Sequence, residues 1–191
     1  RDRSDDLALL AAAETGVPVS LRNEHLDAPV AQMRVEDRDQ GAAVTAVITP
    51  GTSPFAVAVE EVGRVLVAGG TVVLKPAAEA ASAALELGRI ALDILPRGVL
   101  NVVTSRDVDV ATALTIDPRI DAVSLTGSSL AGSNALEICA RRRIPLQAEL
   151  GGNNAAIVWH DCDLKHAAKQ IAEGAFGMAG QRCTANRRAI V

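Results

Sequence analysis

The sequence lacks most features of a disulfide-bonded, metal-binding, membrane-spanning or nucleic-acid-binding protein. Its three cysteines, Cys139, Cys162 and Cys183, form no CxxC pair, so they predict free thiols and neither a disulfide framework nor a metal site. No apolar run reaches the ~18 residues of a membrane span. The net charge of -4 is spread along the chain with both signs interspersed, which indicates neither nucleic acid nor a membrane surface as a partner.

The composition is that of a globular protein. The 191 residues are 49% hydrophobic and 22% charged, which suffices for a sizeable core in one domain and part of another. Arg1-Asp2-Arg3 lacks the apolar core of a signal peptide, so we expect a cytoplasmic protein. The chain starts without Met and stops on the strand-like segment 188–191, and we therefore expect it to be part of a longer protein.

Short β-branched runs alternate with longer periodic segments, which is the pattern of βαβ units around a parallel sheet. Strands are predicted at 43–49, 71–75, 99–103, 121–125, 145–149 and 154–158. Helices are predicted at 5–14, 24–34, 54–68, 81–95, 107–115, 128–142 and 163–178. Together these elements predict an α/β fold with a doubly wound, mostly parallel sheet.

Polar residues follow four of these strands. In open α/β sheets ligands bind at the carboxyl ends of the strands, so we expect these residues to share one rim. The four strand ends carry Thr49-Pro50-Gly51-Thr52, Lys75-Pro76, Thr126-Gly127-Ser128 and Glu149-Leu150-Gly151-Gly152.

Two of these strand ends suit an anionic ligand. The turn at Gly127 and Ser128 would offer backbone N–H groups and a helix dipole to a pyrophosphate, although an ordinary serine-capped helix start explains it equally well. Lys75 alone is better explained as a solvated surface charge. Its position on the shared rim favours a ligand.

A thiol and a carboxylate, Cys183 and Glu149, lie in glycine-marked segments near the end of the chain, and this pairing suggests covalent catalysis. The alternatives are a small buried cysteine and a paired structural carboxylate. Cys139 and Cys162 are interpreted as buried hydrophobes. The three histidines, His25, His160 and His166, fall in no triad-like spacing and are assigned to the surface.

Six motifs in order give the chain a resemblance to the NAD(P)-dependent aldehyde dehydrogenase superfamily over nearly its whole length. Each motif is weak alone, but their order and spacing are highly specific. They are AVITP (46–50), TVVLKP (71–76), PRGVLNVVT (96–104), DAVSLTGSSLAG (121–132), ELGGNN (149–154) and FGMAGQRC (176–183), followed by Arg188.

The resemblance implies a role for each rim residue. Cys183 would add to an aldehyde as a thiohemiacetal, and Glu149 would activate the water that hydrolyses the resulting thioester. The remaining residues would bind NAD or NADP: Lys75 at the adenosine ribose, Gly127 and Ser128 at the pyrophosphate, Leu150 through its backbone at the nicotinamide, and Thr49 and Pro50 along the same rim.

The chain departs from the family pattern at two places. Gly51 and Thr52 stand where the family has Trp and Asn, and that Asn normally completes the oxyanion hole, so Thr52 would have to replace it. Ala78 stands where a Glu often holds the second ribose hydroxyl, with Glu79 one position later. Loss of that carboxylate makes NADP plausible beside NAD.

The resemblance also implies an organisation and a reaction. Residues 1–149 would form a Rossmann-like coenzyme-binding domain with N-terminal helices, and residues 150–191 the first segment of an α/β catalytic domain. The whole protein would be an oxidoreductase that oxidises an aldehyde to a carboxylic acid, and a homo-oligomer. The alternatives are a CoA-acylating dehydrogenase, which a Thr at position 52 suggests, and a catalytically silent dinucleotide-binding protein; a coenzyme-free cysteine hydrolase is disfavoured because no histidine partner for Cys183 is evident.

Overall fold

The structure, a computed structural model, describes residues 4–17, 20, 43–107 and 109–191. The helices are α1 Ser4–Thr15, α2 Pro54–Val67, α3 Ser82–Ile94, α4 Asp109–Ile116, α5 Ser129–Arg142 and α6 Leu164–Phe176. The strands are β1 Val44–Ile48, β2 Thr71–Lys75, β3 Leu100–Val102, β4 Ala122–Gly127, β5 Leu146–Leu150, β6 Ala155–Ile157 and β7 Arg188–Ile190. Within these ranges no helix has the length and apolar character needed to cross a membrane. The predicted helix at 24–34, with His25, lies outside the described residues.

Five strands form one parallel sheet in the order β3-β2-β1-β4-β5. The chain moves outward from β1 to β2 and β3, then returns to the other side of β1 for β4 and β5. Sheets wound in both directions in this way open a crevice at the carboxyl ends of the strands where the direction changes. Here that crevice lies between β1 and β4.

Both faces of this sheet are buried under helices, because successive side chains of a strand point to opposite faces. Val47 is fully buried on one face, in a cluster with residues of α2, α3 and β2 that include Ala58, Ala84 and Leu74. Ala46, the preceding residue, is fully buried in a second cluster. That cluster is completed by Ile120, Val123, Leu125, Ala135 and Cys139. The predicted doubly wound α/β fold is confirmed.

A buried polar contact joins one helix to the sheet. The Ser124 hydroxyl on β4 donates to Oε2 of Glu61 on α2 over 2.8 Å, and both side chains are buried. Arg64 lies 3.4 Å from the other oxygen of that carboxylate. Each buried polar group therefore has a partner, which removes most of the desolvation penalty that an unpaired carboxylate would carry.

Helix α1 packs on the outside of α2 and α3 rather than on the sheet. Leu7 and Ala8 of α1 are buried against Phe55, Val59 and Ala83. The helix ends at Gly16, whose φ of 73° is costly for any residue with a Cβ. The C-terminal end of α1 therefore lies beside α2 and α3.

Strands β6 and β7 form a second, two-stranded parallel sheet. Asp163 caps α6, as the sequence predicts, by accepting from the backbone N–H groups of Lys165 and His166. The helix was expected to reach residue 178 but ends at Phe176, because Met178 and Ala179 adopt left-handed φ values of 57° and 55°.

The apolar stripe of α6 is not buried against the described residues. The same holds for part of the apolar stripe of α3. No residue of α6 is buried, and Leu164 is exposed. In α3, Ala91 is buried as the pattern predicts, whereas Ile94 at the end of the same stripe is 73% exposed. The periodicity therefore identifies the helices correctly and overstates what they bury here.

The packing predicts how two leucine substitutions differ. Leu74→Ala removes a side chain that is fully buried in the sheet, and we expect the free energy of unfolding to fall by about 2–5 kcal/mol. Leu92→Ala is the matched control, because Leu92 on α3 is 62% exposed, and its effect should stay below about 0.5 kcal/mol. Urea denaturation followed by circular dichroism measures both; equal losses would contradict this view of the core.

Candidate functional site

The predicted rim exists, because the parallel registers bring four strand ends to one edge of the sheet. Ile48, the last residue of β1, is paired with Lys75 on one side and with Leu125 on the other. Gly127 at the end of β4 is paired with Leu150 at the end of β5. The residues that follow β1 and β4 therefore border the crevice described above.

One buried polar atom at this rim has no partner among the described residues. Thr49 is 3% exposed, its N–H donates to the carbonyl of Lys75 over 3.1 Å, and its hydroxyl oxygen makes no hydrogen bond. Lys75 is 8% exposed as a whole residue and forms no ion pair in the described chain. Both interpretations of its ammonium, a solvated charge and a ligand contact, stay predictions. A buried hydroxyl without a partner is costly, so the position of Thr49 suits a polar ligand.

The turn between β4 and α5 combines both interpretations given to it from the sequence. Ser128 is the N-cap of α5, and its side-chain oxygen accepts from the N–H of Ala131 over 3.2 Å. The serine therefore has an ordinary capping role. The other N–H groups of the first turn, together with the helix dipole, still form a place where an anion is stabilised.

Leu150 lies over this same turn. A Cβ built on Gly132, in the first turn of α5, would lie 2.5 Å from both Cδ atoms of Leu150. Such a distance is far inside van der Waals contact, so a side chain at position 132 would require the end of the Leu150 side chain to turn aside.

Glu149 precedes Leu150 on β5 and is exposed. Its side chain makes no ion pair or hydrogen bond with the described residues, which does not support the alternative of a paired structural carboxylate. The desolvation that a general base requires is also not provided by this part of the chain. Glu149 is open to a water molecule.

Cys183 is exposed, so the alternative of a small buried hydrophobe is wrong for this residue. It follows a tight turn in which Met178, Ala179 and Gly180 all have left-handed φ values of 57°, 55° and 73°. Two of these residues have a Cβ, and such conformations persist only where the surrounding structure holds them. Arg182, beside the thiol in sequence, donates from Nε to the Met178 sulfur over 2.7 Å.

Asn154, in the loop after β5, is hydrogen-bonded to the segment that carries Cys183, residues 181–187, which we call the cysteine segment. Its side-chain Nδ2 donates to the backbone carbonyl of Cys183, and its own carbonyl accepts from the N–H of Arg187 over 2.8 Å. The segments that carry Glu149 and Cys183 are therefore hydrogen-bonded to each other. The sequence analysis did not identify this residue, because the ELGGNN motif shows only that an asparagine stands at position 154 and not what its side chain contacts.

Thr52 lies in a cavity of about 220 Å³ that also reaches the cysteine segment. The cavity is lined by Glu14, Thr15, Gly51, Thr52, Glu79 and Gln181. Gln181, two residues before Cys183, donates from its side-chain amide to the carbonyl of Thr15 at the end of α1. The Thr52 side chain makes no hydrogen bond within the described residues, so its hydroxyl is available to a ligand in the cavity.

Glu79 occupies space that the small residue at position 51 leaves open. A Cβ built on Gly51 would lie 2.9 Å from Oε1 of Glu79. The two departures from the family pattern therefore lie side by side. Gly51 stands in place of a large residue, and the carboxylate that the family often has at position 78 is here at position 79, against Gly51. The Glu79 carboxylate lies beside the loop after β1.

Cys139, Cys162, His160 and His166 lie away from these contacts. Cys139 is buried in α5, as the sequence predicts, whereas Cys162 is only half-buried. His160 and His166 are exposed, which confirms their assignment to the surface. Among the residues that the structure describes, no group of three or more His, Cys, Asp or Glu side chains could hold a metal ion.

Comparison with known proteins identifies relatives along most of the chain. A family model described as the aldehyde dehydrogenase family matches residues 19–191. The peroxisomal aminoaldehyde dehydrogenase 1 of Pisum sativum is 40% identical over 149 residues, which are 78% of this chain and 30% of that protein. The chain spans about a third of the length of the curated relatives that it matches.

Solved structures agree with this comparison. The crystal structure of an E. coli NADP-dependent enzyme superposes with a TM-score of 0.88 at 33% identity, over 98% of this chain and 44% of that chain. An NAD-dependent aldehyde dehydrogenase from Sinorhizobium meliloti gives a TM-score of 0.87 at 31% identity, over 98% of this chain and 42% of that one. The fold of the described residues is therefore that of these enzymes over the matched length.

The different burial of the three cysteines predicts an order of alkylation by iodoacetamide. Cys183 should react first, the half-buried Cys162 next and Cys139 last. Burial raises the pKa of the Cys139 thiol, so less of it is the reactive thiolate at a given pH, and its reaction should need a higher pH or denaturant. Peptide mass spectrometry of a labelling time course measures the order. In concentrated urea the three rates should converge, and rapid native labelling of Cys139 would contradict the structure.

Proposed function

The chain belongs to the aldehyde dehydrogenase family, and from this premise we propose that the whole protein oxidises an aldehyde to a carboxylic acid with NAD or NADP as electron acceptor. The observation that carries the proposal is the hydrogen-bonded connection, through Asn154, between the segments that bear the exposed Cys183 and the exposed Glu149. Similar proteins include a phenylacetaldehyde dehydrogenase of Pseudomonas fluorescens and an NAD-dependent aldehyde dehydrogenase from Sinorhizobium meliloti, which supports the same reaction class.

The rim fits a dinucleotide coenzyme. Thr49 supplies a buried hydroxyl that has no partner in the described chain, and Lys75 at the end of β2 would bring its ammonium to the ribose hydroxyls. Gly127 and Ser128 would hold the pyrophosphate at the N-terminus of α5, and Leu150 would border the nicotinamide. Pro50, half-buried beside Thr49, would complete the rim. When bound, the coenzyme supplies the carbon that accepts a hydride.

Cys183 performs the first chemical step. Its thiolate attacks the aldehyde carbon, a C–S bond forms, and the carbonyl π electrons move to oxygen to give the oxyanion of a thiohemiacetal. Two groups would donate to this oxyanion: the backbone N–H of Cys183 and the hydroxyl of Thr52, which lines the same cavity as Gln181. Each such donor is worth about 3 kcal/mol in comparable sites. Loss of hydride from the carbon, with its electron pair, then leaves a thioester.

Glu149 performs the second step as a general base. Its carboxylate takes a proton from water, the water oxygen bonds to the thioester carbon, and the C–S bond breaks with its electrons returning to the sulfur of Cys183. The products are a carboxylic acid and a regenerated thiolate. The open environment of Glu149 supports this role, because water reaches it without rearrangement of the described chain.

The same proposal covers the organisation of the protein. Residues 1–149 form the coenzyme-binding domain and residues 150–191 the first segment of the catalytic domain; the separation between the five-stranded sheet and the β6–β7 pair supports this division. Either coenzyme is accommodated, because Ala78 places no carboxylate at the usual ribose-binding position and Glu79 lies against Gly51. A cytoplasmic location and a homo-oligomeric assembly stay predictions from the sequence.

The aldehyde assay of the full-length protein tests the proposed function. We expect a broad panel of simple aldehydes to reduce NAD or NADP, Cys183→Ala to abolish that reduction, and Cys162→Ala to leave it intact. Absorbance of the reduced coenzyme is measured with each coenzyme, with and without CoA. Formation of an acyl-CoA would favour the CoA-acylating alternative, and coenzyme binding without reduction by any aldehyde would favour the silent one.

Replacement of Glu149 separates the two chemical steps. In Glu149→Gln the thioester should still form, because Cys183 is unchanged, but its hydrolysis should slow by about 100-fold or more. Stopped-flow measurement should therefore record one rapid turnover per site followed by a slow steady state. Glu173→Gln on the exposed face of α6 is the control and should show no burst. A uniform slowing of both phases would argue against a hydrolytic role for Glu149.

A further inference from the structure

Asn154 contacts the cysteine segment at every second residue, namely Cys183, Ala185 and Arg187. Its side-chain Nδ2 donates to the carbonyl of Cys183 and approaches that of Ala185 at 3.5 Å. Its backbone carbonyl accepts from Arg187, immediately before β7 begins. One residue at the entrance of β6 therefore lies along the segment that presents the thiol.

The local sequence is adapted to this contact. A Cβ built on Gly152 would lie 2.9 Å from the side-chain oxygen of Asn154, so glycine at position 152 leaves the room in which the amide turns toward Cys183. The neighbouring Asn153 is exposed and its side chain makes no hydrogen bond with the described residues. Of these two adjacent asparagines, Asn154 is half-buried and reaches the cysteine backbone, whereas Asn153 is exposed and does not.

Several contacts hold the cysteine segment: Gln181 donates to the carbonyl of Thr15, and the Asn186 N–H donates to the carbonyl of Gly174 over 3.1 Å. Cys183 is exposed, and the turn before it contains two non-glycine residues in the left-handed region, a conformation that must be held by its surroundings. The nearest backbone hydrogen bond within the segment joins the N–H of Ala185 to the carbonyl of Arg182. The Asn154 amide is the bond that reaches the nucleophilic residue itself from another element.

We propose that Asn154 is a positioning residue that fixes the direction of the Cys183 thiol relative to the end of β5, which carries Glu149. This inference rests on the proposed aldehyde oxidation. The thiol must meet an aldehyde carbon whose place is set by the bound coenzyme and by the oxyanion donors, and a misplacement of about 1 Å can cost about 100-fold in rate. Asn154 does not touch the reacting atoms; it acts through the carbonyl of Cys183.

The test compares Asn154→Ala with Asn153→Ala in the full-length protein. Asn154→Ala should lower kcat and kcat/KM for aldehyde oxidation together, by about 10- to 100-fold, because an arrangement needed in the transition state is lost. Coenzyme affinity should be unchanged, since the rim is built from other elements. The rate at which iodoacetamide alkylates Cys183 should also be unchanged, because a small reagent approaches an exposed thiol from any direction. Asn153→Ala should resemble the unaltered protein in all three measurements.

Other outcomes overturn the proposal. Equal kcat values for the two variants would show that the amide does not position the thiol. Parallel losses of alkylation rate, coenzyme affinity and kcat in Asn154→Ala would show a general structural role instead.

Failure of the proposed function is distinguished by hydrogen–deuterium exchange. If the unaltered protein oxidises no aldehyde, the amides of residues 182–187 still report on the contact. Faster exchange there in Asn154→Ala than in Asn153→Ala supports the positioning of Cys183 by Asn154, although the reaction is then a different one. Equal exchange in the two variants overturns it.

Discussion

The strand-end residues of the candidate site depend on β1 being paired in parallel on both of its sides. The hydrogen bonds to β2 and β4 pair Ile48 with Lys75 and with Leu125. The loops that follow these three strands therefore begin at the same edge of the sheet. A shift of one residue in either register would turn each inward side chain to the opposite face of the sheet. Alternation of Ala46 and Val47 between two different cores makes such a shift costly, so the core fixes the rim.

Buried polar groups of the sheet differ in whether the described chain supplies them with a partner. Ser124 on β4 donates to Glu61 on α2, and both side chains are buried. Thr49, which follows the neighbouring strand β1, is also buried, but its hydroxyl has no partner among the described residues. The free-energy cost of that hydroxyl is one that a polar ligand at the rim would offset.

Much of the architecture could be predicted from the sequence, because it depends on local patterns. Alternating β-branched and helical segments predicted the doubly wound sheet, and the polar residues after the strands predicted the rim. The cap of α6 by Asp163 also follows from a short-range rule. What could not be predicted depends on contacts between distant residues: the burial of Lys75, the left-handed turn at Met178 and Ala179, and the bond from Asn154 to Cys183. The sequence does not distinguish an asparagine exposed to solvent from one that is hydrogen-bonded to a carbonyl 29 residues away.

The approach of Leu150 to the first turn of α5 has a consequence for variation among related sequences. Because Gly132 leaves no room for a Cβ beneath Leu150, a larger residue at position 132 requires a shorter or differently turned side chain at position 150. The two positions, 18 residues apart, are therefore expected to covary as a pair. A covariation signal between them would report the spacing of β5 and α5 at the crevice, independently of any measurement of activity.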